Sequence, residues 1–166
     1  MYNKKNIKEQ VEVALNIVKD WDFSLTKIKL QESGNGWTDE RADKAIEDYK
    51  KYLAVTKALN GVQLVPNADI DEIWHYHIMD TKRYVEDCKT LFGGFLHHYP
   101  FYGMLGEENK NNWLENQKNS NSLWFSLFNH PLYSVSNQGQ KCPQACPCNI
   151  EGHEQNGIDY DYNMVA

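Results

Sequence analysis

Residues 66–100 read PNADIDEIWHYHIMDTKRYVEDCKTLFGGFLHHYP, and this stretch decides most of what the sequence predicts. Its apolar side chains recur at helical spacing from about Asp69 to Phe92. Gly93-Gly94 then supplies a natural helix stop. Four of the six histidines of the chain lie within the stretch. It therefore predicts one long helix, the third of the chain, followed by a loop that carries histidine.

Helical periodicity continues on both sides of this stretch. Apolar residues at helical spacing predict a first helix over about residues 7–20. Thr38 stands at an N-cap position before a second helix that ends near Gly61. Residues 107–129 also have a helical pattern, with an expected break or kink in the Asn/Ser-rich run 119–122. The sequence thus predicts an all-α fold, a compact bundle of four or five helices with an irregular, cysteine-bearing C-terminal tail.

Composition bounds the class of protein. The chain has 166 residues, 41% of them hydrophobic, which is enough apolar material for one domain with a core. We predict a helical domain over residues 1–135 and a flexible cysteine-containing tail over residues 136–166. The net charge is −6 with no evident basic face, which argues against nucleic acid as a partner. No secretory signal or 18-residue apolar run is visible, so we expect a cytoplasmic protein without a membrane association.

The third helix carries the most informative polar side chains. His75 and His77 stand two residues apart, so they point to nearly opposite sides of a regular helix. Asp71 precedes His75 by one turn, and a carboxylate there can orient the imidazole by holding one ring nitrogen. His97-His98 follow the Gly-Gly break, which allows the loop to fold back over the helix. One loop histidine would then meet a helix histidine in space.

Two interpretations of these histidines remain open. The first is a metal or polar-ligand site that takes zinc, copper or iron, since neutral imidazoles suit each of them. The second is a structural role, with His77 hydrogen-bonded in the core through Tyr84 or a backbone carbonyl. A metalloenzyme is a further alternative, and the sequence leaves open whether the protein is an enzyme. The predicted metal ligands are His75, His77, His97 and His98, with Asp71 and Tyr84 as their supporting partners.

One combination of residues has the pattern of a known family. It consists of Pro66, Asp71-x-x-Trp74-His75-x-His77, Tyr84, Asp87-Cys88, Gly93 or Gly94, and Leu96-His97-His98-x-Pro100, with Trp37, Tyr49 and Leu53 upstream. On these residues the chain resembles the glycine-rich-domain-containing-protein-like family, which has plant and bacterial members, over about residues 20–103. The resemblance implies a mostly helical domain and brings no settled activity. The chain lacks the glycine-rich tail of the plant members.

The tail offers a second candidate site. Three thiols occur at Cys-x3-Cys-x-Cys spacing, and a histidine follows five residues later. Thiolates with an imidazole can close a tetrahedral zinc site or bind Cu(I). Incidental or redox-active cysteines in a disordered end are the alternative. A protein-interaction module, whose tail is recognised or modified by a protein partner, is the second functional hypothesis. The residues concerned are Cys142, Cys146, Cys148 and His153.

Overall fold

The computed structural model describes residues 4–60, 64–99, 101–134 and 149–150. These residues form six helices, so the prediction of an all-α bundle is confirmed, with a helix count close to the four or five expected. No helix within those ranges has both the length and the apolar character that crossing a bilayer requires. The helices are α1 (Lys4–Val18), α2 (Ser24–Glu32), α3 (Asp39–Leu59), α4 (Ala68–Met79), α5 (Thr81–Phe92) and α6 (Gly106–Phe128).

Two short strands are also present. They are β1 (Leu96–His97) and β2 (Asn149–Ile150), which pair antiparallel with Leu96 opposite Ile150 and His97 opposite Asn149. Most of the segment after residue 134, including residues 135–148 and 151–166, lies outside the described residues. The predicted boundary near residue 135 and the predicted tail therefore stay predictions.

Helix α3 is the centre of the bundle. Eleven of its residues are buried, because α1, α2 and α4 all pack against it. Thr38 caps its start as the sequence predicts, with its side chain accepting a hydrogen bond from the Arg41 backbone N–H. Helix α1 buries one apolar stripe at helical spacing and packs along α3. That stripe consists of Ile7, Val11, Ala14 and Val18.

The long third helix is interrupted, contrary to the single helix expected over residues 69–92. Asp80, with φ −82° and ψ 69°, ends α4 and begins α5. Its backbone N–H donates to the Tyr76 carbonyl, and its side chain accepts from the Arg83 backbone N–H. Aspartate is a favoured N-cap, so the residue can start a new helix where the preceding one stops. The break matters because it changes which side chains of α5 face those of α4.

Helix α6 runs without the break expected at residues 119–122. Ser120 is buried and its hydroxyl donates to the Asn116 carbonyl within the helix. The same hydroxyl accepts from the Val65 backbone N–H at 2.9 Å, and the side chain of Asn121 accepts from the Leu132 N–H. The Ser120 hydroxyl thus bonds both within the helix and to the segment before α4, and Asn121 bonds to the segment after α6, so tertiary partners hold both side chains in place. The helix therefore continues through them.

Asn67 links the start of α4 to the segment after α6, and its removal should destabilise the fold. Its Oδ1 accepts from the Ile70 N–H at 2.9 Å, and its Nδ2 donates to the Leu132 carbonyl at 2.8 Å, both in the interior. Asn67→Ala is expected to lower the free energy of unfolding by about 2 kcal/mol, measured by urea denaturation, because two buried groups lose their partner. Thr38→Ala removes a comparable but exposed cap and should cost about 0.5–1 kcal/mol. Equal losses in the two variants would contradict this account.

Candidate metal centre

Two helical side chains and one loop side chain form the candidate centre. Asp71 and His75 lie one turn apart on α4, so both project from one face of that helix. Gly93 ends α5 in the left-handed conformation, with φ 78°, which favours glycine and turns the chain back. The returning segment forms β1 and then places His98 beside α4. The cluster therefore depends on one helix and on the turn that follows the next.

The donor atoms of these three residues lie close together. His98 Nε2 is 3.1 Å from His75 Nε2 and 3.4 Å from Asp71 Oδ1. The other Asp71 oxygen, Oδ2, lies 3.6 Å from His75 Nδ1, which is beyond a good hydrogen bond. The three residues can each offer one ligand atom within 4.8 Å of the others. This His/Asp group, hereafter the Asp71–His75–His98 cluster, could hold a metal ion.

The cluster is largely shielded from solvent. The side chains of Asp71 and His98 are 2% and 9% exposed, and that of His75 is 32% exposed. Burial lowers the pKa of His75, against the opposing pull of the Asp71 charge, so the imidazole stays neutral near pH 7. Burial also raises the pKa of Asp71, while its hydrogen bond to His98 acts in the opposite direction. A neutral imidazole is the form that binds a metal.

The contacts within the cluster are compatible with a bound cation. His98 Nε2 faces both the second imidazole nitrogen and a carboxylate oxygen. One N–H hydrogen satisfies only one of these two contacts well, and it leaves lone pairs opposed in the other. A cation between the three atoms attracts all of them at once. The arrangement therefore offers three donor atoms that one cation could share.

His77 lies apart from the cluster, although the sequence grouped it with His75. Its Nδ1 is 2.9 Å from the Tyr49 hydroxyl, and its Nε2 is 3.0 Å from Asp87 Oδ2. An ionised carboxylate only accepts, so Nε2 carries the hydrogen and Nδ1 accepts from Tyr49. Neither ring nitrogen has a lone pair for a metal. The cause is the one seen in the sequence, since residues two apart on a helix point to opposite sides.

The partners of His77 were only partly visible in the sequence. The structural interpretation expects His77 to hydrogen-bond to Tyr84 or to a backbone carbonyl, but its ring nitrogens contact Tyr49 and Asp87 instead. Tyr84 instead packs edge-on against the imidazole at 4.9 Å between ring centroids. Burial, opposed by Asp87, lowers the pKa of His77 to about 4. His77 is a neutral core residue at pH 7.

The remaining predicted site residues are His97, Tyr84 and the tail cysteines with their histidine. His97 is exposed on β1 with its ring 4.9 Å from that of Phe95, and it does not join the cluster. The Tyr84 hydroxyl accepts from Trp74 Nε1 at 2.9 Å and donates to the Leu96 carbonyl at 2.5 Å. Tyr84 therefore supports the loop that carries His98. The tail candidates Cys142, Cys146, Cys148 and His153 lie outside the described residues.

Sequence reasoning gave Asp71 only a supporting role. The structure places its Oδ1 against His98 and so makes the carboxylate a potential ligand in its own right. No local pattern signals this, because it depends on how the chain returns after Gly93. The spacing from Asp71 to His75 was the only available indication that the two side chains act together.

Comparison with known families assigns a different relationship from the one first expected. The family model described as UCP032817-like matches residues 14–121, well over half of the chain and all of the candidate cluster. The resemblance to the glycine-rich-domain-containing-protein-like family is wrong as a family assignment, because no model of that family matches. No curated protein and no solved structure showed significant similarity to the chain.

Proposed function

We propose that this chain, which belongs to the UCP032817-like family, binds a divalent transition-metal ion between Asp71, His75 and His98. The observation that carries the proposal is the spacing of the donor atoms. Ligands about 2.0–2.2 Å from a metal lie about 3.0–3.5 Å from one another in octahedral or tetrahedral geometry. The two short distances in the cluster, 3.1 Å and 3.4 Å, fall in that range.

The three donor side chains restrict which metal ions suit the site. Two imidazoles with one carboxylate are found at catalytic zinc sites and at non-haem iron(II) sites. Calcium and magnesium prefer all-oxygen sites, and among the described residues the cluster includes no thiolate of the kind that would favour Cu(I). Zinc and iron(II) are therefore the proposed ions, since this donor set is the one found at their catalytic sites.

Neighbouring histidines provide a matched test. His98→Ala removes a ligand and should lower zinc affinity at least about a hundredfold, because two remaining donors hold the ion weakly. His97→Ala removes an exposed imidazole at the adjacent position and should leave affinity unchanged. Affinity is measured by competition with a chromophoric chelator, and metal content of the full chain by elemental analysis. Equal zinc affinity in the two variants would exclude the proposed site.

A further inference from the structure

The cluster supplies fewer donors than a metal ion needs. Among the described residues, three side chains form the group, whereas zinc takes at least four ligands and iron(II) up to six. Structural zinc sites are closed by four protein ligands, and sites with three protein ligands keep a position for water or substrate. The exposure and charge of the cluster indicate where that position lies and what it binds.

Exposure locates the free position. Asp71 and His98 are nearly enclosed, and Trp74, itself fully buried, packs against the His98 ring at 4.7 Å between centroids. His75 is the one member with substantial exposure, at 32% of its side chain. A ligand from solvent therefore reaches the ion along the His75 side of the cluster.

Charge indicates which ligand the position takes. A divalent ion, one ionised carboxylate and two neutral imidazoles leave a net charge of +1 in a partly buried site. A positive charge with limited hydration attracts an anion more strongly than it would in bulk water. Divalent zinc and iron(II) readily take oxygen donors.

We propose that the metal ion held by Asp71, His75 and His98 keeps an exchangeable position on the His75 side that binds a small anionic oxygen donor, hydroxide or a carboxylate. This inference rests on the proposed metal site. A position of this kind suits either a metal-activated water or a substrate that carries a carboxylate. A metal site with such a position differs from a structural site, in which protein side chains fill every coordination position.

Glu72 is a charged neighbour of His75 on α4. It precedes His75 by three residues on α4, so the two side chains are neighbours on the helix surface. Its negative charge acts on His75 and opposes an incoming anion. Neutralising Glu72 should therefore strengthen anion binding without removing a ligand.

The test uses the full chain loaded with cobalt(II), whose visible absorption reports coordination. Titration with acetate and with azide should change the spectrum with saturation, at dissociation constants of about 1–30 mM. Glu72→Gln should tighten acetate binding about twofold or more, and Glu12→Gln, on the exposed face of α1, should not change it. Cobalt binding is measured separately by equilibrium dialysis.

Two results would rule out an exchangeable position, and neither of them would rule out the metal site itself. A cobalt-loaded protein whose spectrum ignores both anions has no exchangeable position, although the metal site stands. A thiolate-to-cobalt charge-transfer band that disappears when the tail cysteines are replaced by serine shows a closed site instead. Absence of cobalt binding in dialysis would remove the proposed function and this inference together.

Discussion

Replacing Tyr84 with phenylalanine is expected to lower the free energy of unfolding by about 3 kcal/mol and to weaken metal binding about tenfold. The hydroxyl links three elements, since it accepts from Trp74 Nε1 on α4 and donates to the Leu96 carbonyl on β1. Tyr84 is 1% exposed, and Trp74 and Leu96 are fully buried. Without the hydroxyl, a buried N–H and a buried carbonyl both lose a partner, at about 1–3 kcal/mol each.

The loss of metal affinity follows from the position of Leu96. His98 is two residues after Leu96, and its ring packs on Trp74, so both neighbours of the Tyr84 hydroxyl help to position this imidazole. A loop that is free to shift by a fraction of an ångström holds the His98 nitrogen less well against Asp71 and His75. Tyr84 acts as a positioning residue, because its hydroxyl bonds to Trp74 and to the Leu96 carbonyl, which hold the His98 loop.

Tyr133→Phe is the matched control for Tyr84→Phe. Its hydroxyl also donates to a backbone carbonyl, that of Val65 at 2.6 Å, but in the segment beside α6 rather than beside the cluster. It should lose stability by about 1–2 kcal/mol and keep its zinc affinity. Unfolding is followed in urea with metal removed, and affinity by chelator competition. Full zinc affinity in Tyr84→Phe, at a temperature where it is folded, would contradict the positioning role.

The sequence predicted the bundle well where local signals agree with packing. The apolar stripe of α1 and the Thr38 cap of α3 are both read from short windows, and both appear in the structure. In these places, helical periodicity and capping chemistry point to the same element. All-α architecture follows from such windows because each helix satisfies its own backbone hydrogen bonds.

Sequence reasoning failed where one residue can serve two roles. Asp80 lies inside a continuous helical pattern, and its ability to cap α5 was outweighed there by the apolar periodicity on both sides. The Asn/Ser-rich run 119–122 predicts a break or kink, but Val65 supplies a tertiary donor for the Ser120 hydroxyl and the helix continues. The bond to Ser120 cannot be predicted because its partner lies far away in sequence. The cap at Asp80 cannot be predicted because it depends on where the preceding helix ends.

In the candidate centre, too, a local feature could be predicted from the sequence and a feature that depends on the path of the chain could not. The one-turn spacing of Asp71 and His75 is a local property of a helix, and the sequence exhibits it. The choice of His98 over His97 depends on the path of the chain after Gly93, where β1 ends at His97 and His98 follows it. Adjacent residues of an extended segment face opposite sides, so only one of the two can meet His75. Periodicity alone does not say which one.

His77 should make the stability of the metal-free protein depend on pH between about 6.5 and 4. The imidazole is 3% exposed, and burial lowers its pKa from the ordinary 6.5 to about 4 in spite of the nearby Asp87 carboxylate. In that pH range the unfolded chain binds a proton at this residue and the folded chain does not. Stability is therefore complete above pH 6.5 and falls as the pH is lowered, by about 3 kcal/mol at pH 4.

A variant without a titrating group isolates this effect. His77→Gln keeps a donor and an acceptor in the core but binds no proton, so it should be less stable than the parent at pH 7 and lose less stability on acidification. The difference between the two proteins in urea unfolding, measured with a chelator at several pH values, removes the contributions of His75 and of the carboxylates, which both proteins share. The two stability curves should converge as the pH falls from 6.5 to 4. Parallel curves over this range would show that His77 titrates alike in the folded and unfolded chains, and that its bonds to Tyr49 and Asp87 do not hold it neutral.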